Sequence, residues 1–185
     1  MYYVMTCEGV DPATDIGKAP DFPDGPWYRG TPVTARVREP LKYALDRDYR
    51  GELLAYYQHA HPLMRRDLLD ALSAAGVDNL QTFAATLRDP WRKVDLDDYR
   101  AVNVIGVVRA ADAERSARAG TGGGALIDAD FAALTIDPKS PDGLLLFRLA
   151  ENVSAIVVHE RVKRTIEQRA IPGMTFYEPG EWSTP

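Results

Sequence analysis

The triplet His159-Glu160-Arg161, with Arg148 upstream of it, has the residue types that come nearest to an acid–base site in this sequence. A histidine beside a glutamate can transfer protons if both side chains line a cleft. The same triplet begins a predicted helix, where the helix dipole favours Glu160 and Arg161 can pair with it locally. No serine motif of the G-x-S-x-G type accompanies it. We predict that the triplet organises a helix start; the alternative is a small enzyme built on His159, Glu160 and Arg148.

Two other motifs could bind a metal ion or a phosphate group. His59 and His61 in "HAHP" offer two imidazoles, but a zinc site needs at least one further ligand, and neither a nearby cysteine nor HExxH spacing is present. The glycine run "GTGGG" at 120–124 lacks the lysine and hydroxyl of a P-loop, and a strand-like run follows it where a dinucleotide site requires a helix. The sequence therefore predicts no metal site, no cofactor and no catalytic residue.

Acidic side chains gather in two predicted loops. Asp95, Asp97 and Asp98 precede the strongest strand pattern of the chain, and a second group lies within 128–137. Neither group has the glycine and glutamate spacing of an EF-hand. These acids are solvated turns, a surface for a basic partner or a weak cation site.

A helix–strand pattern occurs twice in the chain, as "LLDALSAAGVDNLQTF" at 68–83 and "VKRTIEQRAIPGMTFY" at 162–177. Apolar residues recur at corresponding positions, 94 residues apart: Leu68, Leu72, Val77, Leu80 and Phe83 against Val162, Ile166, Ile171, Met174 and Tyr177. Neither copy carries a nucleophile, an acid–base pair or a phosphate loop at matching positions. The unit is therefore predicted to be architectural, arising either from duplication or from convergence on a common helix–strand pattern.

The remaining patterns predict the elements around these two units. Apolar and β-branched runs predict strands at 2–5, 79–87, 99–110, 143–149, 154–159 and 173–179, and two short strands within 125–138. Apolar stripes predict helices at about 40–49, 64–75 and 160–169. The polar stretch 88–98 is predicted to be a loop. We expect an α+β domain of six to eight strands, with a mixed, mostly antiparallel sheet covered by amphipathic helices.

Composition limits the classes of partner and the compartment. The chain has 185 residues and a net charge of −5, which disfavours nonspecific binding to nucleic acid. Cys7 is the only cysteine, so an intramolecular disulfide or a cysteine zinc site is excluded. No apolar run approaches the roughly 20 residues of a membrane span, and the first residues lack the pattern of a signal peptide. We therefore expect a cytoplasmic protein that binds neither membrane nor nucleic acid.

Several of these segments together resemble a known family. They are "YYVM" at the start, "LLDALSAAGVDNLQTF", "YRAVNVIGVVRAAD" and "LLLFRLAENVSAIVVHERVKRTIEQRAIPGMTFYEP". The chain resembles the polymorphic-toxin immunity family named after a Myxococcus immunity protein. On this basis residues 1–185 form a single immunity-type domain, with a family-like body at 64–179 and a variable region at 9–62.

The resemblance implies a protein that binds and neutralises a cognate bacterial toxin or effector in the cytoplasm, without catalysis. The non-catalytic alternative is an adaptor of a secretion system. We expect the partner to contact Asp95, Asp97 and Asp98 and the aromatic pair Trp27 and Tyr28, since aromatics beside acids suit a basic partner.

Two positions depart from the family pattern. His159 replaces an expected serine, which predicts a weaker helix cap. Ala170 stands where the first copy has Gly76, which predicts a different closure of the second helix.

Overall fold

The computed structural model describes residues 1–7, 15–22, 27–119 and 129–183. The glycine run at 120–124 and residues 125–128, which belong to the predicted strand pair at 125–138 and include the first acid of the second acidic group, Asp128, lie outside the described residues. The elements in chain order are β1 (Tyr2–Cys7), β2 (Ile16–Lys18), β3 (Leu41–Leu45), β4 (Tyr56–Tyr57), β5 (Leu63–Arg65), α1 (Arg66–Ala75), β6 (Leu80–Asp89), β7 (Val94–Leu96), β8 (Tyr99–Val104), β9 (Val107–Val108), β10 (Ala117–Arg118), β11 (Phe131–Ala133), β12 (Leu146–Leu149), β13 (Ile156–His159), α2 (Glu160–Gln168) and β14 (Met174–Tyr177).

The predicted α+β class, with amphipathic helices covering one sheet, is wrong, because the protein is mostly β. Fourteen described strands form sheets of five, two and seven strands, and α1 and α2 are the two described α-helices. The five-stranded sheet has the order β14-β1-β13-β12-β9, and the seven-stranded sheet has the order β2-β3-β6-β8-β5-β4, with β7 also paired to β6. The remaining two strands, β10 and β11, form the third sheet.

The helix predicted at 40–49 is the strand β3. Leu41, Tyr43 and Leu45 are buried, whereas Lys42 is exposed and Ala44 is half-buried. This alternation has the period of two that a strand requires. Apolar residues at these positions also fit one face of a short helix, so the pairing with β2 and β6 on either side decides the conformation.

Two further predictions on the neighbouring segments need correction. The predicted loop at 88–98 contains β7, which forms an antiparallel hairpin with β6. The strand predicted at 99–110 is divided into β8 and β9, which belong to different sheets. Gly106 has φ +120°, a conformation that favours glycine, and it lies where the chain passes from one sheet to the other.

The two predicted helix–strand units share one topology. In the first unit β5 leads into α1 and then β6, and β8 runs antiparallel between β5 and β6. In the second unit β13 leads into α2 and then β14, and β1 runs antiparallel between β13 and β14. β4 and β12 lie on corresponding outer sides. The strand at the centre of each unit is β8 in the first and β1 in the second. In the sequence β8 follows the rest of its unit, whereas β1 precedes the rest of its unit, so the two units are related as by a circular permutation.

Two predictions about the ends of α2 are wrong. His159 was expected to weaken the cap of α2, but its Nδ1 accepts a hydrogen bond of 3.2 Å from the N–H of Arg161. Ala170 was expected to close α2 differently, but φ is +50° at Ala170 and +92° at Gly76, so both take the left-handed conformation. In each case the N–H donates to the carbonyl three residues earlier, at 2.9 Å in α1 and 3.0 Å in α2.

The two helices pack against each other over a shared core. Leu68 and Leu72 of α1, and Val162 and Ile166 of α2, are at most 1% exposed. They belong to the larger of two hydrophobic cores. β1 separates the cores, since Tyr3 and its alternate neighbours face the larger core while the residues between them face the smaller one. None of the described helices is long and apolar enough to cross a membrane.

Candidate functional site

The structure does not bring together the three residues of the enzyme alternative. His159 caps α2 and packs edge-to-face against Tyr2, with ring centroids 5.1 Å apart. Burial, reinforced by the positive charge of the N-terminal amine, lowers its pKa below the ordinary value. Glu160 forms an exposed ion pair with Arg164 at 2.5 Å. Both side chains therefore organise the start of α2.

Arg148 lies in the interior, away from this helix start. Arg148 is 1% exposed, and in the β12–β13 ladder it lies opposite Ile156. Ile156 is three residues before His159 on β13. The Nη1 atom of Arg148 donates a hydrogen bond of 2.8 Å to the carbonyl of Val153, and its Cζ lies 5.3 Å from the centroid of the Tyr28 ring. Burial lowers the pKa of this guanidinium. Arg148 is therefore buried apart from the start of α2, and its Nε and Nη2 make no hydrogen bond to another described residue.

The histidine pair of "HAHP" lies in an aromatic cluster. The rings of His59 and His61 are 6.3 Å apart, and His61 packs against Phe22 at 4.3 Å and Trp27 at 5.1 Å. Within the described parts of the chain, no three histidine, cysteine or carboxylate side chains are placed to hold a metal ion. His61 thus packs against the segments that contain Phe22 and Trp27.

The predicted aromatic contacts for a partner, Trp27 and Tyr28, differ in burial. Trp27 is 4% exposed and also packs against Phe83, with ring centroids 5.2 Å apart. Tyr28 is half-buried and covers Arg148. Trp27 therefore packs residues 27–29 against His61 and Phe83, and its ring is not available at the surface as a partner contact.

The predicted acidic residues Asp95, Asp97 and Asp98 lie on β7 and directly after it, and all three are exposed. Asp95, on β7, forms an ion pair of 3.3 Å with Arg88. The Asp97 carboxylate accepts a hydrogen bond of 2.9 Å from the Thr86 hydroxyl. Asp98 accepts the first N–H of α1 through its main-chain carbonyl and leaves its carboxylate at the surface. We call Asp95, Asp97 and Asp98 the acidic strip.

An exposed tryptophan lies beside this strip and is not among the partner contacts predicted from the sequence. Trp91 is 50% exposed and Val94 is 41% exposed, and with Met1 they are the exposed large hydrophobic residues of the described chain. Both lie on the β6–β7 hairpin. The Trp91 ring is flanked by guanidinium groups, with Cζ of Arg50 at 5.2 Å and Cζ of Arg92 at 4.9 Å from its centroid. The signal available in the sequence was a tryptophan in a polar turn next to acids.

Asp89 holds this hairpin in one conformation. Its buried carboxylate accepts hydrogen bonds of 2.9 Å from the N–H groups of Trp91 and Arg92, and a third of 2.8 Å from the Arg92 guanidinium. Arg92 also donates to the carbonyl of Gly51 at 3.0 Å. Burial alone would raise the pKa of Asp89, but the hydrogen bonds and charge of Arg92, with the N–H of Trp91, lower it. Trp91 is therefore presented on a rigid turn.

Comparison with known proteins adds no family to these observations. No family profile matches the chain, and no curated protein matches it significantly.

Proposed function

We propose that this protein is an immunity protein, which binds a cognate bacterial toxin or effector in the cytoplasm and neutralises it by occlusion, without catalysis. The observation that carries the proposal is the exposure of Trp91 and Val94 on a hairpin that Asp89 makes rigid. An inhibitor of this kind needs a stable scaffold and a preorganised surface, because ordering a mobile loop on binding reduces affinity.

The hairpin has the properties of an interface anchor. Tryptophan dominates the binding energy of many interfaces, above all where its surroundings are rigid and exclude water. A tryptophan offers some 150–250 Å² of surface, so covering the exposed half of Trp91 contributes about 2–3 kcal/mol at roughly 25 cal/mol per Å². The ring already contacts the guanidinium groups of Arg50 and Arg92, which reduces the side-chain freedom that is lost on binding.

The acidic strip specifies the chemistry of the partner. Asp97 and Asp98 have no ion pair with any described residue, and Asp95 shares only an exposed pair with Arg88. A partner surface that complements Trp91 and the acidic strip has an apolar pocket for the tryptophan ring, flanked by lysine or arginine side chains. Such complementarity accelerates association and excludes wrong partners.

The test is growth rescue. The reading frame next to this gene is induced in a sensitive host, with and without this protein, and complex formation is measured with the purified proteins. We expect killing by the neighbour, restored growth, and a stable complex. Trp91→Ala should weaken the complex by about 30-fold, which corresponds to roughly 2 kcal/mol, and should reduce protection.

A matched control is Arg115→Ala, an exposed residue before β10, which should leave affinity and protection unchanged. If the neighbour kills and this protein neither binds nor protects, the proposal is wrong for that pair. A stable complex without protection would favour the adaptor alternative.

A further inference from the structure

A concave surface lies beside the ends of β2 and β3, at one edge of the seven-stranded sheet. It is an open groove of about 780 Å³, lined by residues 18–22 on one side and 33–42 on the other. The β2–β3 pairing ends at Lys18 and Ala44, and beyond this point the two segments form the walls of the groove. We call this surface the edge groove.

The apolar floor of the edge groove is held in place by the body of the protein. Phe22 packs against the buried Trp27, with ring centroids 4.7 Å apart. Val33 is tied to β6 through the Gln81 side chain, which accepts from the Val33 N–H at 2.8 Å and donates to its carbonyl at 2.9 Å. Val37 and Leu41 complete the apolar part. The floor is therefore preformed.

The walls of the edge groove are basic, in contrast to the chain as a whole. Lys18, Arg36, Arg38 and Lys42 line it, against Asp21 and Glu39. The Glu39 carboxylate is occupied, because it accepts a hydrogen bond from the N–H of Ala84.

The positive charge is also largely uncompensated. Among the described residues no carboxylate forms an ion pair with Lys18, Arg36, Arg38 or Lys42, and the last of these donates only to the Thr86 hydroxyl, at 3.4 Å. A basic groove in a chain of net charge −5 selects an acidic ligand.

One wall also presents unpaired main chain. Residues 34–38 lie outside the strands and make no main-chain hydrogen bond to another described residue. An extended segment can pair with such a wall, while its alternate side chains point to the floor and to the rim. A strand therefore fits the groove by three criteria: main-chain pairing, apolar contact and charge.

We propose that the edge groove binds an extended acidic segment of a partner protein, with apolar side chains on the floor and carboxylates meeting Arg36 and Arg38. The inference goes beyond the proposed function, since it concerns a different surface from the Trp91 hairpin and holds whether or not the partner is a toxin. The two surfaces differ in charge: the acidic strip beside the hairpin suits a basic partner surface, and the edge groove suits an acidic segment.

The experiment measures fluorescence anisotropy with two labelled octapeptides, one of alternating valine and glutamate and one of alternating valine and lysine. We expect the glutamate peptide to bind at least tenfold more tightly than the lysine peptide. The double variant Arg36→Glu/Arg38→Glu should weaken glutamate-peptide binding at least tenfold. Val37→Asp, which leaves both arginines in place, should weaken it at least fivefold.

The control variant Arg115→Glu/Arg118→Glu makes the same change in net charge on exposed residues at another site. It should leave peptide binding within twofold, and thermal melting of each variant verifies that it folds. Equal binding of the two peptides, or equal losses in the groove and control variants, would overturn the proposal. The peptide-binding test does not use growth rescue. A negative result for the edge groove is therefore distinguishable from a negative result for the immunity proposal.

Discussion

The two helix–strand units have the same scaffold, but among the described residues the strand after the helix continues into a hairpin in the first unit and not in the second. In both, the residue before the helix lies opposite the first residue of the central strand: Arg65 opposite Tyr99, and His159 opposite Tyr2. The first N–H of each helix also donates to the carbonyl that precedes the central strand, at 2.8 Å for α1 and 2.9 Å for α2. The equivalence therefore extends to single hydrogen bonds.

The units differ in the strand that comes after the helix. β6 continues to Asp89, turns into β7 and pairs with β3, whereas β14 ends at Tyr177 before Pro179, which cannot donate to a ladder. Both the Trp91 hairpin and the edge groove depend on these additions to the first unit. The shared part therefore supports the fold, and the candidate binding surfaces lie in the part that is not shared.

The strongest effect should come from the common core, where the two units can be tested for equal contributions to stability. Leu72 and Ile166 occupy corresponding positions in α1 and α2 and are at most 1% exposed. Because either truncation leaves a cavity in this core, Leu72→Ala and Ile166→Ala should each lower the free energy of unfolding by about 3 kcal/mol. Urea unfolding measures both, and the exposed Ser73→Ala is the control. A near-neutral result at one position would break the equivalence.

The next effect concerns the hairpin, which has no counterpart in the second unit. Asp89→Asn should lower the free energy of unfolding by about 2 kcal/mol near neutral pH, since a buried carboxylate bonded to a guanidinium is lost. The folded-state pKa of Asp89 is lowered, so its contribution is present above the ordinary aspartate pKa and is lost as the pH falls through the lowered one.

The difference in the free energy of unfolding between wild type and Asp89→Asn should therefore narrow as the pH falls from 7 to 2. Urea unfolding at several pH values measures this difference. The exposed pair of Arg88 and Asp95 provides the control, because Asp95→Asn should change stability by less than about 1 kcal/mol. A difference that stays constant with pH would show that Asp89 does not act through its charge.

A smaller change in the free energy of unfolding is expected at the residues that close the C-terminal ends of α1 and α2. Gly76 and Ala170 both have positive φ, which disfavours a residue with a Cβ atom by about 1–2 kcal/mol, partly offset by the greater freedom of glycine in the unfolded chain. Gly76→Ala should therefore lower the free energy of unfolding by about 1 kcal/mol, and Ala170→Gly should raise it by about 0.5 kcal/mol. Thermal melting measures both, and changes of the same sign would contradict the shared closure.

The weakest effect concerns the helix starts. His159 caps α2 with its side chain, whereas Arg65 gives α1 no side-chain cap. His159→Ala should cost about 0.5–1 kcal/mol at pH 8. The folded-state pKa of His159 is lowered, so the stability it gives is present above the ordinary histidine pKa and is lost as the pH falls through the lowered value. An NMR titration of the ring checks the direction, and a raised pKa would exclude the cap.

The scaffold was predictable in part, because local periodicity reflects which side chains are buried. The stripes at 64–75 and 160–169 predicted two helices, and α1 and α2 confirm them. The buried runs predicted strands that contain or overlap β1, β6, β8, β12, β13 and β14. The short stretch "LKYAL" was misread because five residues fit either period, and its neighbours β2 and β6 decided between them.

The candidate site was less predictable, because tryptophan is compatible with both a core and a surface position. Trp27 and Trp91 both occur in polar, turn-rich segments, yet one is buried by Phe22, His61 and Phe83 while the other is half exposed. The acidic strip was placed correctly at the surface from its charge alone.

Local patterns in the chain were enough to specify the two repeated units, their buried stripes and the exposure of the acidic strip, since each depends on side-chain periodicity and on the cost of burying charge. Tertiary contacts were needed to make β3 a strand, to bring Trp91 rather than Trp27 to the surface, and to line one groove with Lys18 and Arg36. These outcomes depend on contacts between segments far apart in the chain, which no local period specifies.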